Sequence, residues 1–205
     1  VPVNPPRNDP PPATAVVLCG GASRRMGGAD KTALPFAGTT VLDHLLDSLP
    51  ADWPVVCVGE ARHTQRSVTW TRESPPGGGP VAGMAAGLAL VATPLVLLLA
   101  GDLPFAGPAA AHLALVAGKR RAISPPFPAT SAVVATDEEG RAQPLLGAYR
   151  TEALRRAVPD EPGGARLMGV LEHLGVEFVP LDDRACLDVD TPESLARATQ
   201  LAARS

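Results

Sequence analysis

Thr14-Ala15-Val16-Val17-Leu18-Cys19, running into Gly20-Gly21-Ala22-Ser23-Arg24-Arg25-Met26-Gly27-Gly28-Ala29-Asp30-Lys31, is the stretch that decides the fold. From Ala15 to Cys19 the chain is apolar without alternation, as a strand buried on both faces requires, and such strands belong to parallel sheets. The run then gives way to a loop with four glycines and three cations within twelve residues. Glycines let the backbone approach a ligand closely and aim several N–H groups at it. Arg24, Arg25 and Lys31 add positive charge around the same concavity. The combination suits a polyphosphate. It is neither a GxxxxGK[ST] loop nor a G-x-G-x-x-G fingerprint. A solvent-facing connection would not need so many residues ordered at this entropic cost.

Working outward, the same alternation of buried strand and amphipathic helix continues. Helical spacing at 41–49 follows Thr39 or Thr40 as cap, with short strands at 55–58 and 68–71. A second glycine-rich loop, 75–83, leads into a helix at 84–91. Residues 95–100 (LVLLLA) form the most hydrophobic segment and read as a central parallel strand. A helix at 108–117 and a strand at 122–124 follow. Next comes a hairpin of 131–136 and 144–149 around Asp137-Glu138-Glu139-Gly140. Helices at 152–158 and 166–174, a strand at 176–180 and a helix opened by Thr191-Pro192 complete the chain. The pattern predicts an α/β fold, a three-layer sandwich with a mostly parallel sheet and a small hairpin insertion. Residues 14–205 form one domain, and the leader 1–13, with six prolines, is expected to be disordered. Folds of this kind bind ligands at the carboxyl ends of their strands. The loops after Cys19, Thr71 and Ala100 all fall there.

Three further segments carry candidate chemistry. Asp102 follows the hydrophobic strand, where a carboxylate can hold Mg²⁺ against phosphate oxygens or simply initiate a turn before Leu103-Pro104. Pro75 to Gly83 is either a rigid loop against a base or ribose, or a plain surface loop. Asp188 and Asp190, two apart on an extended segment, face one side and could supply a second metal carboxylate, with Asp190 or Thr191 capping the last helix.

Composition narrows the class. The net charge of −3 gives no reason to expect nucleic-acid binding. Arg outnumbers Lys by sixteen to two, so Lys31, a compact point charge inside a glycine loop, stands out. Cys19, Cys57 and Cys186 lack paired spacing, which fits a reduced, cytoplasmic protein. The longest apolar run is too short to cross a bilayer. There is no G-x-S-x-G elbow, and His44, His63, His112 and His173 have no H-E-x-x-H spacing.

The first loop resembles the L-A-G-G-x-S-x-R-M-G-x-D-K signature of the molybdenum cofactor guanylyltransferase (MobA-type) family, with Cys19 in place of Ala. Gly79-Pro80-Val81-Ala82-Gly83 is similar to its G-P-L-A-G. Gln143-Pro144-Leu145 through Tyr149-Arg150 resembles its Q-P-L…Y-R, and Asp188 to Glu193 its N-V-N-T-P-E. The resemblance implies a Rossmann-like nucleotidyltransferase that transfers GMP from GTP to the phosphate of molybdopterin and depends on Mg²⁺. It implies Leu18, Cys19, Gly20, Gly21, Gly59, Glu73, Gly79 and Gly83 around the nucleotide. Arg25 and Lys31 would lie on the triphosphate, Asp102 and Asp190 on the metal, and Arg166 near the acceptor phosphate. Partners implied by it are GTP, molybdopterin, other cofactor-biosynthesis proteins and recipient molybdoenzymes, with no membrane. Asp188 and Asp190 stand where the guanylyltransferases usually have Asn, and Gly163-Gly164-Ala165-Arg166 also leans toward the cytidylyltransferase relatives. A CTP-using enzyme, one with another phosphorylated acceptor, and an inactive nucleotide-binding relative therefore remain alternatives.

Overall fold

The computed structural model of the chain describes residues 12–20, 30–120 and 130–204. The leader through Pro11, the loop residues Gly21 and Arg25, and the strand expected at 122–124 lie outside them.

In chain order the elements are β1 (Ala13–Leu18), a 3-10 turn (Lys31–Ala33), β2 (Pro35–Phe36), β3 (Thr39–Thr40), α1 (Val41–Ser48), β4 (Val55–Val58) and β5 (Thr69–Thr71). After them come α2 (Pro80–Leu88), β6 (Leu95–Ala100), α3 (Ala106–Arg120), β7 (Ala132–Thr136) and β8 (Ala142–Arg150). The chain closes with α4 (Thr151–Ala157), α5 (Leu167–Leu171), β9 (Val176–Pro180) and α6 (Pro192–Ala202).

Among the described residues, one sheet of seven strands runs β5-β4-β1-β6-β8-β7-β9. β1 pairs in parallel with β4 and β6, β4 with β5, and β7 with β9. Only β8 runs against its neighbours β6 and β7. The hairpin read around Gly140 is thus β7 and β8, built into the main sheet, while β2 and β3 form a separate antiparallel ribbon.

Alternate residues of β1 enter opposite cores, which is why its sequence shows no alternation. Ala13, Ala15 and Val17 pack with α1 and α3, among them Leu42, Leu45, Leu46, Leu113 and Ala110. Val16 and Leu18 pack on the other face with Val81, Met84 and Leu88 of α2 and with Leu154 and Val170 of α4 and α5. The result is the three-layer Rossmann-like sandwich, with β1 buried throughout. A third, smaller core joins Phe36, Val41 and Phe105 to Leu187, Val189 and Ala198, and so pins the segment before α6 to the rest.

The structure moves several boundaries. β1 begins at Ala13, the last residue assigned to the leader. α2 starts at Pro80 rather than at Met84, because Gly79 adopts φ 88° as its N-cap and Pro80, lacking an N–H, suits the first turn. α5 covers only Leu167–Leu171 of the helix read at 166–174. The expected cap of α1 is Thr40, whose hydroxyl accepts from Asp43 N at 3.0 Å. Among the described residues no helix is long and apolar enough to cross a membrane.

Candidate active site

The sheet order reverses at β1: the chain proceeds outward through β4 and β5, then returns to place β6 on the other side. Such a switch point opens a crevice above the carboxyl ends of the strands. Here it is a cleft of about 610 Å³, lined by Leu18, Cys19 and Gly20 after β1, Gly59 and Glu60 after β4, Arg72 and Glu73 after β5, and Ala100 and Asp102 after β6. Asp30, Lys31, Thr32, Val58, Gly77, Gly79, Pro80, Gly83 and Leu145 complete its walls.

Lys31 opens a 3-10 turn whose cap is Asp30. The Asp30 carboxylate accepts from Thr32 N at 3.0 Å and from the Thr32 hydroxyl at 2.6 Å. From this turn the Lys31 ammonium reaches two carboxylates, lying 3.8 Å from Asp102 Oδ2 and donating a hydrogen bond to Asp190 Oδ1. Period-two alternation sets the second of these: Leu187 and Val189 point into the third core, so Asp188 and Asp190 point the other way. Val189 N donates to Asp102 O at 3.0 Å, which ties the two acidic segments together. The cap of α6 is Thr191, reciprocated by Ser194 in a capping box, while the Asp190 carboxylate meets Lys31.

Burial pushes the Asp102 carboxyl up to about 6; Lys31 pulls it down, and Asp188 and Asp190 push it up again. The site thus concentrates negative charge around one ammonium. The Cys19 thiol donates to Val17 O at 3.5 Å, and the neighbouring Cys57 thiol together with burial holds it well above its ordinary range, so it lines the cleft as a neutral thiol. At the far wall, Glu73 accepts from Gly77 N at 3.0 Å, which fixes one of its carboxylate oxygens.

The donor chemistry fits Mg²⁺ in one respect and limits it in another. Among the described residues no group of three or more His, Cys, Asp or Glu is placed to hold a metal ion alone. Mg²⁺ needs no such cage, since it keeps water and phosphate oxygens and takes one or two carboxylates. Asp102 and Asp190, sharing one ammonium, are such a pair.

Of the residues singled out by sequence, Leu18, Cys19, Gly20, Lys31, Gly59, Glu73, Gly79, Gly83 and Asp102 meet in one cleft. Asp190 joins them through Lys31. Gly21 and Arg25 lie outside the described residues. Arg166 does not line the cleft; it is exposed at the start of α5, in a loop held to the glycine-rich segment by Gly164 N donating to Gly78 O at 2.8 Å. Sequence reasoning passed over Arg72, Glu60 and Thr32 in the walls, and Arg62 behind them. A single cation in an irregular segment carries no spacing signal, so only the strand-end position of Arg72 could have marked it.

A family model described as the MobA-like NTP transferase domain matches residues 15–177. The molybdenum cofactor guanylyltransferase of Mesorhizobium japonicum is 31% identical over 204 residues, covering 91% of this chain and 94% of that protein. The probable molybdenum cofactor guanylyltransferase of Natronomonas pharaonis is 28% identical over 205 residues, covering 91% and 96%. Among solved structures, molybdopterin-guanine dinucleotide biosynthesis protein A from Archaeoglobus fulgidus shares the fold with a TM-score of 0.70 at 22% identity, covering 94% of this chain and all of that one.

Proposed function

Since the chain belongs to the MobA-like NTP transferase domain family, we propose that it is a molybdenum cofactor guanylyltransferase, which transfers GMP from GTP to the phosphate of molybdopterin and releases pyrophosphate. The observation that carries this is the Lys31 ammonium standing opposite Asp102 and Asp190 at the mouth of a switch-point cleft. A triphosphate entering there meets the one ammonium and competes for it with the two carboxylates.

An oxygen of the acceptor phosphate attacks the α-phosphorus of GTP, and the bond to the oxygen bridging to the β-phosphorus breaks, so pyrophosphate leaves with the electron pair. Positioning and charge neutralisation dominate phosphoryl chemistry, and nucleotidyl transfer has the same needs. Lys31 neutralises charge on the α- and β-phosphate oxygens. Asp102, with Asp190, would hold Mg²⁺, which when bound supplies charge neutralisation on the leaving pyrophosphate. Gly20 and Gly79 allow the nucleotide to approach backbone.

Glu73 supports guanine as the base. Guanine offers adjacent N1–H and N2–H donors to a carboxylate, whereas cytosine sets its single amino donor beside an N3 acceptor, which a carboxylate repels. Asp188 and Asp190 are the observation on the side of CTP. Pyrophosphate release measured with each nucleoside triphosphate, with and without molybdopterin and Mg²⁺, tests the reading. It predicts release with GTP that requires both acceptor and Mg²⁺. Release with CTP and not GTP would transfer the proposal to a cytidylyltransferase, and the lack of release with every nucleotide would end it.

A further inference from the structure

The turn that carries Lys31 is gripped from outside the cleft. Arg62 lies between β4 and β5, half-buried and absent from the cleft walls. Its Nη1 forms an ion pair with Asp30 Oδ2, and its Nη2 donates to the Thr32 hydroxyl. Its guanidinium carbon sits 5.5 Å from the centre of the Trp70 ring on β5. Two edges of the planar group and one face are therefore engaged at once, a geometry that an ammonium cannot reproduce. The two residues it holds flank Lys31 on either side in sequence, and they are joined to each other by the Asp30–Thr32 hydrogen bonds at 3.0 and 2.6 Å. Asp30, Thr32 and Arg62 close a ring on one side of the turn, and the Lys31 side chain leaves it toward Asp102 and Asp190.

We propose that Arg62 is a positioning residue for nucleotidyl transfer: it clamps the 30–32 turn to β5 and so keeps the Lys31 ammonium in the triphosphate site. This rests on the reading of the cleft as that site. The turn is three residues long, and Arg62 reaches the residues on both sides of Lys31 from a separate segment of the chain. A lateral shift of about 1 Å at a group that neutralises developing charge can cost on the order of 10²-fold in rate.

The test is a double-mutant cycle read by GTP affinity in equilibrium titration and by pyrophosphate release. Arg62→Met keeps the apolar stem over Trp70 and removes both polar edges. It should lower kcat/KM for GTP by about 10- to 100-fold, with the melting temperature of the ligand-free protein down by only about 2–4 °C. In a Lys31→Ala background the same change should weaken GTP binding by less than about 2-fold, because the clamp then has nothing left to aim. Asp30→Asn, isosteric and on the exposed edge, should show the same loss in the wild-type background and its absence beside Lys31→Ala, which keeps the test open if Arg62→Met folds poorly. Equal losses in both backgrounds, or wild-type kinetics in Arg62→Met, would overturn the clamp. Failure of the unmutated protein to bind GTP at all is a different result, and removes the nucleotide site on which the clamp depends.

Discussion

Asp102 carries the sharpest conflict in the molecule. Its carboxyl is half-buried beside two other acids and is held at about 6 in spite of Lys31. A carboxyl whose pKa is higher folded than unfolded binds its proton more tightly in the folded state. Its ionisation therefore costs stability as pH rises from about 4 to about 6, on the order of 1 kcal/mol for a partly exposed group. Asp102→Asn should consequently unfold later than wild type at neutral pH in ligand-free protein, and show no such gain below pH 4, where both are uncharged; thermal melts across pH read this directly. The same variant should lose about 10²–10³ in turnover, as should Lys31→Ala, because each removes one electrostatic group from the transition state. A stabilising substitution that destroys activity marks a residue kept for chemistry. At this scale the sequence was readable where chemistry repeats a pattern: a lysine among sixteen arginines, an acid at the end of the most apolar strand. It was silent on the pairing of Lys31 with Asp190, because 159 residues separate them and only the closed sheet brings them together.

Two elements next to the cleft owe their placement to residues with no part in the chemistry. Arg66 caps the carboxyl end of α1: its guanidinium donates to the carbonyls of Leu46, Leu49, Pro50 and Trp53 at 2.9, 3.0, 2.7 and 2.8 Å. These are the orphan acceptors at a helix end and the loop beyond it. Arg66→Met should destabilise the fold by about 2–4 kcal/mol in denaturant titration while leaving the KM for GTP unchanged. Gly87 is the contact point of α2 with the sheet. A Cβ there would fall 2.5 Å from Val16 Cγ1 and 3.0 Å from Val58 Cγ2. Helix propensity alone would make Gly87→Ala stabilising by about 1 kcal/mol; the clash predicts the opposite sign, a loss of about 1–3 kcal/mol. Strands such as Val55–Val58 and Leu95–Ala100 were legible to the residue, since burial on both faces leaves an uninterrupted apolar run. The start of α2 was not, because Gly79-Pro80 looks the same in a loop as at a helix entrance. The β2–β3 ribbon, two residues on each side, is too short to show any period.

For the molecule as a whole, the decisive fact is the position of β1 between β4 and β6, with Gly20, Asp102 and Glu73 opening into one cleft. The sequence implied three loops at strand ends; it could not say that those strands share one half of the sheet, in the order β5-β4-β1-β6, which follows from the crossover from β5 back to β6. The central claim is that this cleft receives the triphosphate between Lys31 and Asp102. A crystal structure with a non-hydrolysable GTP analogue and Mg²⁺ tests it most directly. The account predicts phosphate oxygens within hydrogen-bond reach of Lys31 Nζ, the metal on the Asp102 carboxylate and the guanine beside Glu73. A nucleotide bound elsewhere, with the Lys31–Asp190 pair undisturbed, would contradict it.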